Sequence, residues 1–190
     1  GVSGERSGIV GGVSNQIYND MGFVAGGFNN SVSGISSAIV GGHDNTIHAG
    51  VSNSFIGGGF ASDIYIDADN SGIVGGSFNN IYGESSGIVG GFNHNIFSGA
   101  RSFIGGGYGC GVSGIGNAIL GGRRLNTLSG LSWDYASVCG IGNRIDDFYP
   151  WDNISNVAAP QQRPGTCYRF IVGVGDTVGD DDLGFVVDDS

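Results

Sequence analysis

Four patterns in this sequence place chemistry-bearing residue types close together. Ser7–Gly12 reads SGIVGG. Freed by cleavage, an Ile-Val-Gly-Gly terminus can bury its ammonium against a carboxylate, and a glycine turn after apolar residues can cradle a phosphate. Gly109–Gly114 (GCGVSG) has the glycine spacing of a dinucleotide-binding turn. Trp133, Asp134 and Tyr135 join an aromatic face to a carboxylate, as do Tyr65 and Asp67 in the segment DIYIDADNS. Such a pairing suits a sugar, which stacks its apolar face on a ring and hydrogen-bonds through its hydroxyls. Asp176, Asp180, Asp181 and Asp182 crowd one segment, and close carboxylate oxygens are what Ca²⁺ takes.

Most of these patterns resolve into something other than a site. SGIVGG returns at Ser71–Gly76 and Ser86–Gly91, and IVGG at Ile39–Gly42. A protease terminus or a phosphate loop is used once, whereas a string repeated along a chain is architecture. GCGVSG falls inside such a repeat, with no βαβ context. The acidic cluster lacks EF-hand spacing and reads as a solvated turn. His43, His48 and His94 share no ligand spacing and read as polar surface or trimer-axis positions, so neither a metal nor a cofactor is expected. No GDSGG string occurs and Glu is nearly absent. Asp134 with Asp63 or Asp67 is the only carboxylate pairing to consider for hydrolysis. The chain therefore reads as a non-enzyme, with Tyr65, Asp67, Trp133, Asp134 and Tyr135 as candidate glycan- or receptor-binding residues on loops.

Composition narrows the class further. The chain has 190 residues, of which 40 are Gly and three are Pro. That much glycine without a three-residue period is not collagen, and 39% hydrophobic residues is too high for a disordered linker. Such a chain needs tight, repeated turns. Seven Arg and no Lys against 17 acidic residues give a net charge of −10, which repels nucleic acid and anionic lipid. No apolar run is long enough to span a bilayer and no signal-peptide pattern is present, so no membrane insertion is expected. Gly1 in place of Met reads as an internal or processed position. Cys110, Cys139 and Cys167 form no metal spacing and read as small buried hydrophobes.

The elements that must position any loop follow from the repeat. Apolar pairs precede the glycine turns at Ile9-Val10, Val24-Ala25, Ile39-Val40, Phe55-Ile56, Ile73-Val74, Ile88-Val89, Phe103-Ile104, Ile119-Leu120 and Val138-Cys139. Their steps are 15, 15, 16, 18, 15, 15, 16 and 19 residues, which reads as a duplicated block of four coils. About eight residues after each comes a second apolar position: Ile17, Val32, Ile47, Ile64, Ile81, Ile96, Val112, Leu128 and Ile145. Shortly before it stands a turn residue, often Asn, as at Asn15, Asn30, Asn45, Asn79, Asn126 and Asn143. Asn tolerates left-handed turn geometry, and stacked Asn side chains form ladders. Gly57–Gly59 and Gly105–Gly107 carry a third glycine, which reads as an inserted bulge.

A 15-residue unit cannot fold alone but can stack as one coil of a β-solenoid, about 4.8 Å from the next. The expected fold class is all-β, a β-solenoid with two short strands per coil. In the first strand both members of the pair are apolar: Ile9 and Val10, Ile39 and Val40, Ile73 and Val74, Ile88 and Val89, Ile119 and Leu120. Neighbouring strand residues point to opposite faces, so one fills the coil and the other forms an apolar stripe. Stripes of that length mark an interface, and a homotrimer is the simplest closed solution.

The repeat S-x-Φ-Φ-G-G-x-x-N-x-Φ resembles the head repeats of trimeric autotransporter adhesins of the YadA-like kind and the Gly-Asn repeats of bacteriophage and viral tail fibres. The likeness covers residues 1–145 and implies a trimeric, left-handed β-roll. The extra glycine and the 18- and 19-residue coils depart from the common head repeat. Residues 146–166 hold all three Pro with Phe148, Tyr149 and Trp151 and read as a neck or cap, and 167–190 reads as a C-terminal β-hairpin. Its YRFIVGV and LGFVVD resemble a phage-fibre segment that precedes a self-cleaving chaperone. The resemblance implies a virion fibre that attaches to a host cell-surface receptor, a glycan or an outer-surface protein, alongside other fibre or virion proteins. The alternatives are an adhesin head on a bacterial surface and a polysaccharide-degrading tailspike.

Overall fold

The computed structural model describes residues 1–125 and the strands at 136–141, 169–173 and 186–187. Segment 146–166, the second-strand positions Leu128 and Ile145, Asn126 and Asn143, and Asp176 with Asp180 to Asp182 lie outside the described residues.

Short strands follow one another along the chain. They are β1 (Gly8–Ile9), β2 (Gln16–Ile17), β3 (Phe23–Val24), β4 (Ser31–Val32), β5 (Ala38–Ile39), β6 (Thr46–Ile47) and β7 (Phe55–Ile56). Then come β8 (Asp63–Ile64), β9 (Gly72–Ile73), β10 (Asn80–Ile81), β11 (Gly87–Ile88), β12 (Asn95–Ser98), β13 (Phe103–Ile104) and β14 (Gly111–Ser113). The last four are β15 (Ala118–Arg123), β16 (Ala136–Ile141), β17 (Arg169–Gly173) and β18 (Val186–Val187). No helix occurs among the described residues.

Odd-numbered strands β1 to β15 stack in parallel into one sheet, which continues through β16, β17 and β18. Even-numbered strands β2 to β14 stack into a second sheet. The chain is a parallel β-solenoid of about seven turns, each coil giving one strand to each sheet. β17 follows β16 in parallel, and β18 pairs with β17 in the antiparallel sense. Backbone N–H groups of one coil donate to carbonyls of the next at 2.7 to 3.1 Å, so polar backbone is satisfied between coils.

The core is one column of side chains between the sheets. Ile17, Val32, Ile47, Ile64, Ile81 and Ile96 enter from the even sheet, and Val24, Ile39, Ile56, Ile73, Ile88, Ile104 and Ile119 from the odd one. Ile9, at the first coil, is half-buried against it. β-Branched residues suit so narrow a slot because their χ1 is already restricted, and burying each contributes about 1.5–3 kcal/mol relative to exposure. Val10, Val40, Val74, Val89 and Leu120 point outward and are exposed in the single chain.

Three expectations need correcting. Phe55 and Phe103 do not occupy the inward position of Ile39. Phe55 pairs with Ala38 and Gly72, while Ile56 pairs with Ile39 and Ile73; Phe103 pairs with Gly87 and Ala118. A one-residue slip exchanges faces, and the slot takes an Ile in place of a ring.

Next, the inward residues Ile9, Val24, Ile39, Ile56, Ile73, Ile88, Ile104 and Ile119 step by 15, 15, 17, 17, 15, 16 and 15 residues. The coil lengths therefore do not repeat as two blocks of four. Third, the extra glycine is not a bulge. Gly57 donates to Ile73 O as Val40 donates to Ile56 O, and Gly105 donates to Ile119 O likewise. Gly57 and Gly105 thus take the outward strand position that Val40 holds.

In the coils from Ile9 to Val112, extra residues enter at one place only. From odd-sheet to even-sheet inward residue the interval is eight throughout, as from Ile39 to Ile47 and from Ile56 to Ile64. Additions fall in the opposite turn, after Ile47, Ile64 and Ile96. The Gly-Gly corner has no room for one. Gly42 has φ of 89°, and a Cβ there would collide with the carbonyl oxygen of Gly59 in the next coil. Gly12, Gly27, Gly76 and Gly91 are boxed in the same way by the following coil. We expect Gly42→Ala to lower stability by ~2 kcal/mol or more, from left-handed strain plus the collision, read as a shift in the urea midpoint.

Candidate functional site

Two polar ladders run inside the solenoid, one before each sheet. Before the even sheet stand Asn15, Asn30, Asn45, Ser62, Asn79, His94 and Cys110, all buried. Each presents an acceptor to the backbone N–H of the next member. Asn30 N donates to Asn15 Oδ1 at 3.0 Å, Asn45 N to Asn30 Oδ1 at 3.1 Å, and Asn79 N to Ser62 Oγ at 3.3 Å. The Asn30 amide also donates to Gly26 O at 3.2 Å and Gly42 O at 3.0 Å, which ties the ladder to two glycine corners.

Before the odd sheet, Ser37, Ser54, Ser71 and Ser86 do the same. The N–H groups of Ser54, Ser71, Ser86 and Ser102 donate to the preceding hydroxyl at 3.0 to 3.2 Å. The Ser of SGIVGG and the Asn after it are both ladder residues.

The left-handed turn does not fall on those Asn. It falls one residue earlier, at Ser14, Asn29, Asp44, Ala61, Phe78 and Asn93, with φ between 48° and 59°. A buried Asn is kept for its hydrogen bonds, and its more exposed neighbour takes the strain. Asn30→Ala would leave the buried Asn45 N–H without its acceptor and remove the amide bonds to Gly26 O and Gly42 O. We expect a loss of about 3 kcal/mol in urea denaturation, with the far-ultraviolet spectrum still β-rich.

His94 is a ladder member, which corrects the expectation of a surface or axial position. It is fully buried, and its Nδ1 accepts the Cys110 N–H at 3.0 Å. That bond requires a neutral ring with the proton on Nε2, which is buried without a hydrogen-bond partner. Burial pushes its pKa below the ordinary 6.5. Protonation therefore favours the unfolded chain, and stability falls as pH drops below about 6.5. His94→Asn would restore the amide of the other coils and remove this step. The check is the difference in melting temperature between wild type and His94→Asn at pH 7.5 and pH 5, which should widen toward acid.

Cys110 is a buried thiol whose pKa is raised by burial, as its reading as a small hydrophobe requires. Its Sγ lies 3.6 Å from Gly122 O, the place of a ladder amide.

Three outward surfaces remain. The odd-sheet face carries two outward positions per coil, and their sizes alternate reciprocally. Phe23 is followed by Ala25, Phe55 by Gly57 and Phe103 by Gly105, whereas Gly8 precedes Val10, Gly72 precedes Val74 and Gly87 precedes Val89. A Cβ at Gly57 would meet the Phe55 ring at 3.3 Å, and one at Gly105 the Phe103 ring at 3.4 Å. Each ring thus lies across the place a valine fills in other coils.

Around the glycine corner runs a bridged row including Val13, Phe28, His43, Phe60, Phe92 and Tyr108. Its rings meet edge to face, Phe28 with His43 at 4.9 Å and Phe60 with Phe78 at 5.1 Å, until Phe92 and Tyr108 stack at 5.3 Å. Arg123 closes the row over Tyr108 at 5.8 Å.

The even-sheet face is polar and aromatic. His48, Tyr65 and Tyr82 stack nearly parallel at 4.5 and 4.2 Å. Asp63 sits beside them, 3.4 Å from His48 Nε2 and 3.5 Å from the Tyr65 hydroxyl. Burial raises the Asp63 carboxyl, with His48 opposing. Burial and then the Asp63 charge push the Tyr65 phenol up to about 12. Asn80 Nδ2 donates to Asn95 Oδ1 at 3.0 Å, extending the polar row.

Of the candidate binding residues, Tyr65 has both ring faces covered by His48 and Tyr82, so it offers its edge and hydroxyl instead of a stacking platform. Asp67 lies on the exposed turn after β8, with φ of 68°. Trp133, Asp134 and Tyr135 lie outside the described residues. No group of three or more His, Cys, Asp or Glu placed to hold a metal occurs among the described residues. Sequence reasoning missed the aromatic rows, although Phe28, His43, Phe60 and Tyr108 each stand just after a glycine corner.

No protein-family model matches this chain, and no curated protein matches it.

Proposed function

We propose that the chain is a segment of a homotrimeric phage or viral fibre, a stiff rod that holds a host-attachment surface away from the particle. The observation that carries this reading is the continuity of the buried ladder before the even sheet. From Asn15 to Cys110 each coil's side chain bonds the next coil's backbone, without interruption. A rod built this way resists bending because each coil is fixed to its neighbour by this ladder as well as along both sheets, and from Ser37 to Ser102 by the serine ladder too.

The role is mechanical and adhesive. Stacked coils give stiffness, and three copies of one attachment surface give avidity. The turns after the even sheet are where extra residues enter, and loops on a rigid scaffold are where binding residues sit. The segment bearing Trp133, Asp134 and Tyr135 is the proposed attachment element, with a glycan or outer-surface protein as its receptor.

In sedimentation equilibrium we expect three times the 19.3 kDa chain mass. On a glycan array probed with the fluorescently labelled chain, Trp133→Ala should lower binding at least fivefold. A monomer at micromolar concentration would overturn the fibre reading. Release of reducing ends from host capsular polysaccharide would replace it with that of a degradative tailspike.

A further inference from the structure

We propose that copies of this chain meet through the outward face of the odd-numbered sheet together with the Gly-Gly corner beside it, and that the first glycine of each corner is there to let a second copy approach. This rests on the homotrimeric reading and says which surface makes it.

The glycines carry the argument. The second glycine of each corner is demanded by the chain's own fold, as Gly42 shows. The first is not. A Cβ at Gly11, Gly26, Gly41, Gly75 or Gly90 would have nothing within 4 Å, and none of these has a positive φ. Glycine costs conformational entropy on folding, roughly 0.5–1 kcal/mol relative to Ala, so a lone coil would be better served by almost any other residue. Five coils nevertheless keep one. Close approach of another backbone is the remaining use of a missing side chain.

The adjoining sheet face fits the same partner. Its paired outward positions are apolar in every coil from Gly8 to Leu120. Val10 is 75% exposed and Val74 59% exposed. The reciprocal Phe–small and small–Val pairs keep this face level although the residues change, which a packed surface needs and a solvated one does not. The even-sheet face, by contrast, carries Gln16, Thr46, Asp63 and Asn80 at the equivalent outward positions.

Area indicates how much surface takes part. Eight rungs at about 4.8 Å make a strip about 38 Å long, and a sheet face roughly 10 Å wide gives about 400 Å². A stable interface needs about 800 Å² from each partner. The aromatic row around the corner supplies a second strip of similar size, with the glycines at the bend between the two. One copy's corner against the next copy's sheet face is a head-to-tail contact, and such contacts form a ring when the rotation between copies closes.

The test uses the full chain. Gly41→Val and Gly75→Val together introduce no collision within one coil, so the β-rich circular dichroism should persist while the sedimentation mass falls toward one chain. Replacing Val74, and separately Thr46 on the opposite face, with p-benzoylphenylalanine gives an independent readout. Photolysis should join chains from position 74 and not from position 46. Crosslinking from 46 alone, or a folded glycine variant that assembles like wild type, would overturn the interface while leaving the homotrimer standing. A monomeric wild-type chain would remove both. If the glycine variant fails to fold, the crosslinking pair decides.

Discussion

Parallel stacking with nearly unbroken register puts each residue directly beneath its own repeat, about 4.8 Å away, and the rest of the molecule depends on that. An Asn beneath an Asn can bond the next backbone and be bonded in turn. A ring beneath a ring must stack or turn its edge. The second glycine of a corner, beneath its counterpart, leaves no space for a Cβ, because the carbonyl above already occupies it. The same proximity makes the structure intolerant of insertion wherever three such columns meet. For that reason the corner between the sheets keeps one length from Ile9 to Val112, and there the opposite turn absorbs the added residues.

This division explains the two classes of polar residue. Buried Asn and Ser are held by several partners each and behave as part of the backbone scheme. The residues one position earlier are exposed or half-buried, take left-handed geometry and vary freely, from Ser14 through Asp44 to Phe78. His94 and Cys110 show how far the buried class can stretch. An imidazole can imitate an amide's acceptor only while neutral, and a thiol imitates its donor only weakly. Both sit where most other coils keep Asn, and both bring a titration that Asn lacks.

The outward faces differ as sharply. One sheet presents charge, amide and stacked aromatic edges, suited to water and to hydrogen-bonding ligands. The other presents a level apolar surface running into an aromatic corner. A rod with one wet side and one dry side is suited to bundling with copies of itself, and the wet side and its turns are left to meet other molecules.

The sequence alone determined the solenoid, because period, strand pairs and glycine corners are local and recur often enough to be read without coordinates. It also narrowed the core to one member of each apolar pair, as in Ile39-Val40 and Ile73-Val74, and left open which member turns inward. Register in the Phe55 and Phe103 coils was decided only in three dimensions. There the apolar pair sits one residue early, and nothing local says whether the ring or the Ile enters the slot. The place of His94 likewise depends on what stacks above and below it, since a His after a glycine turn reads as surface until its column is seen to be Asn. The difference between the two glycines of each corner was equally hidden. In the string GG they are identical, and only the stacked coil shows that one is confined by its own chain and the other faces open space.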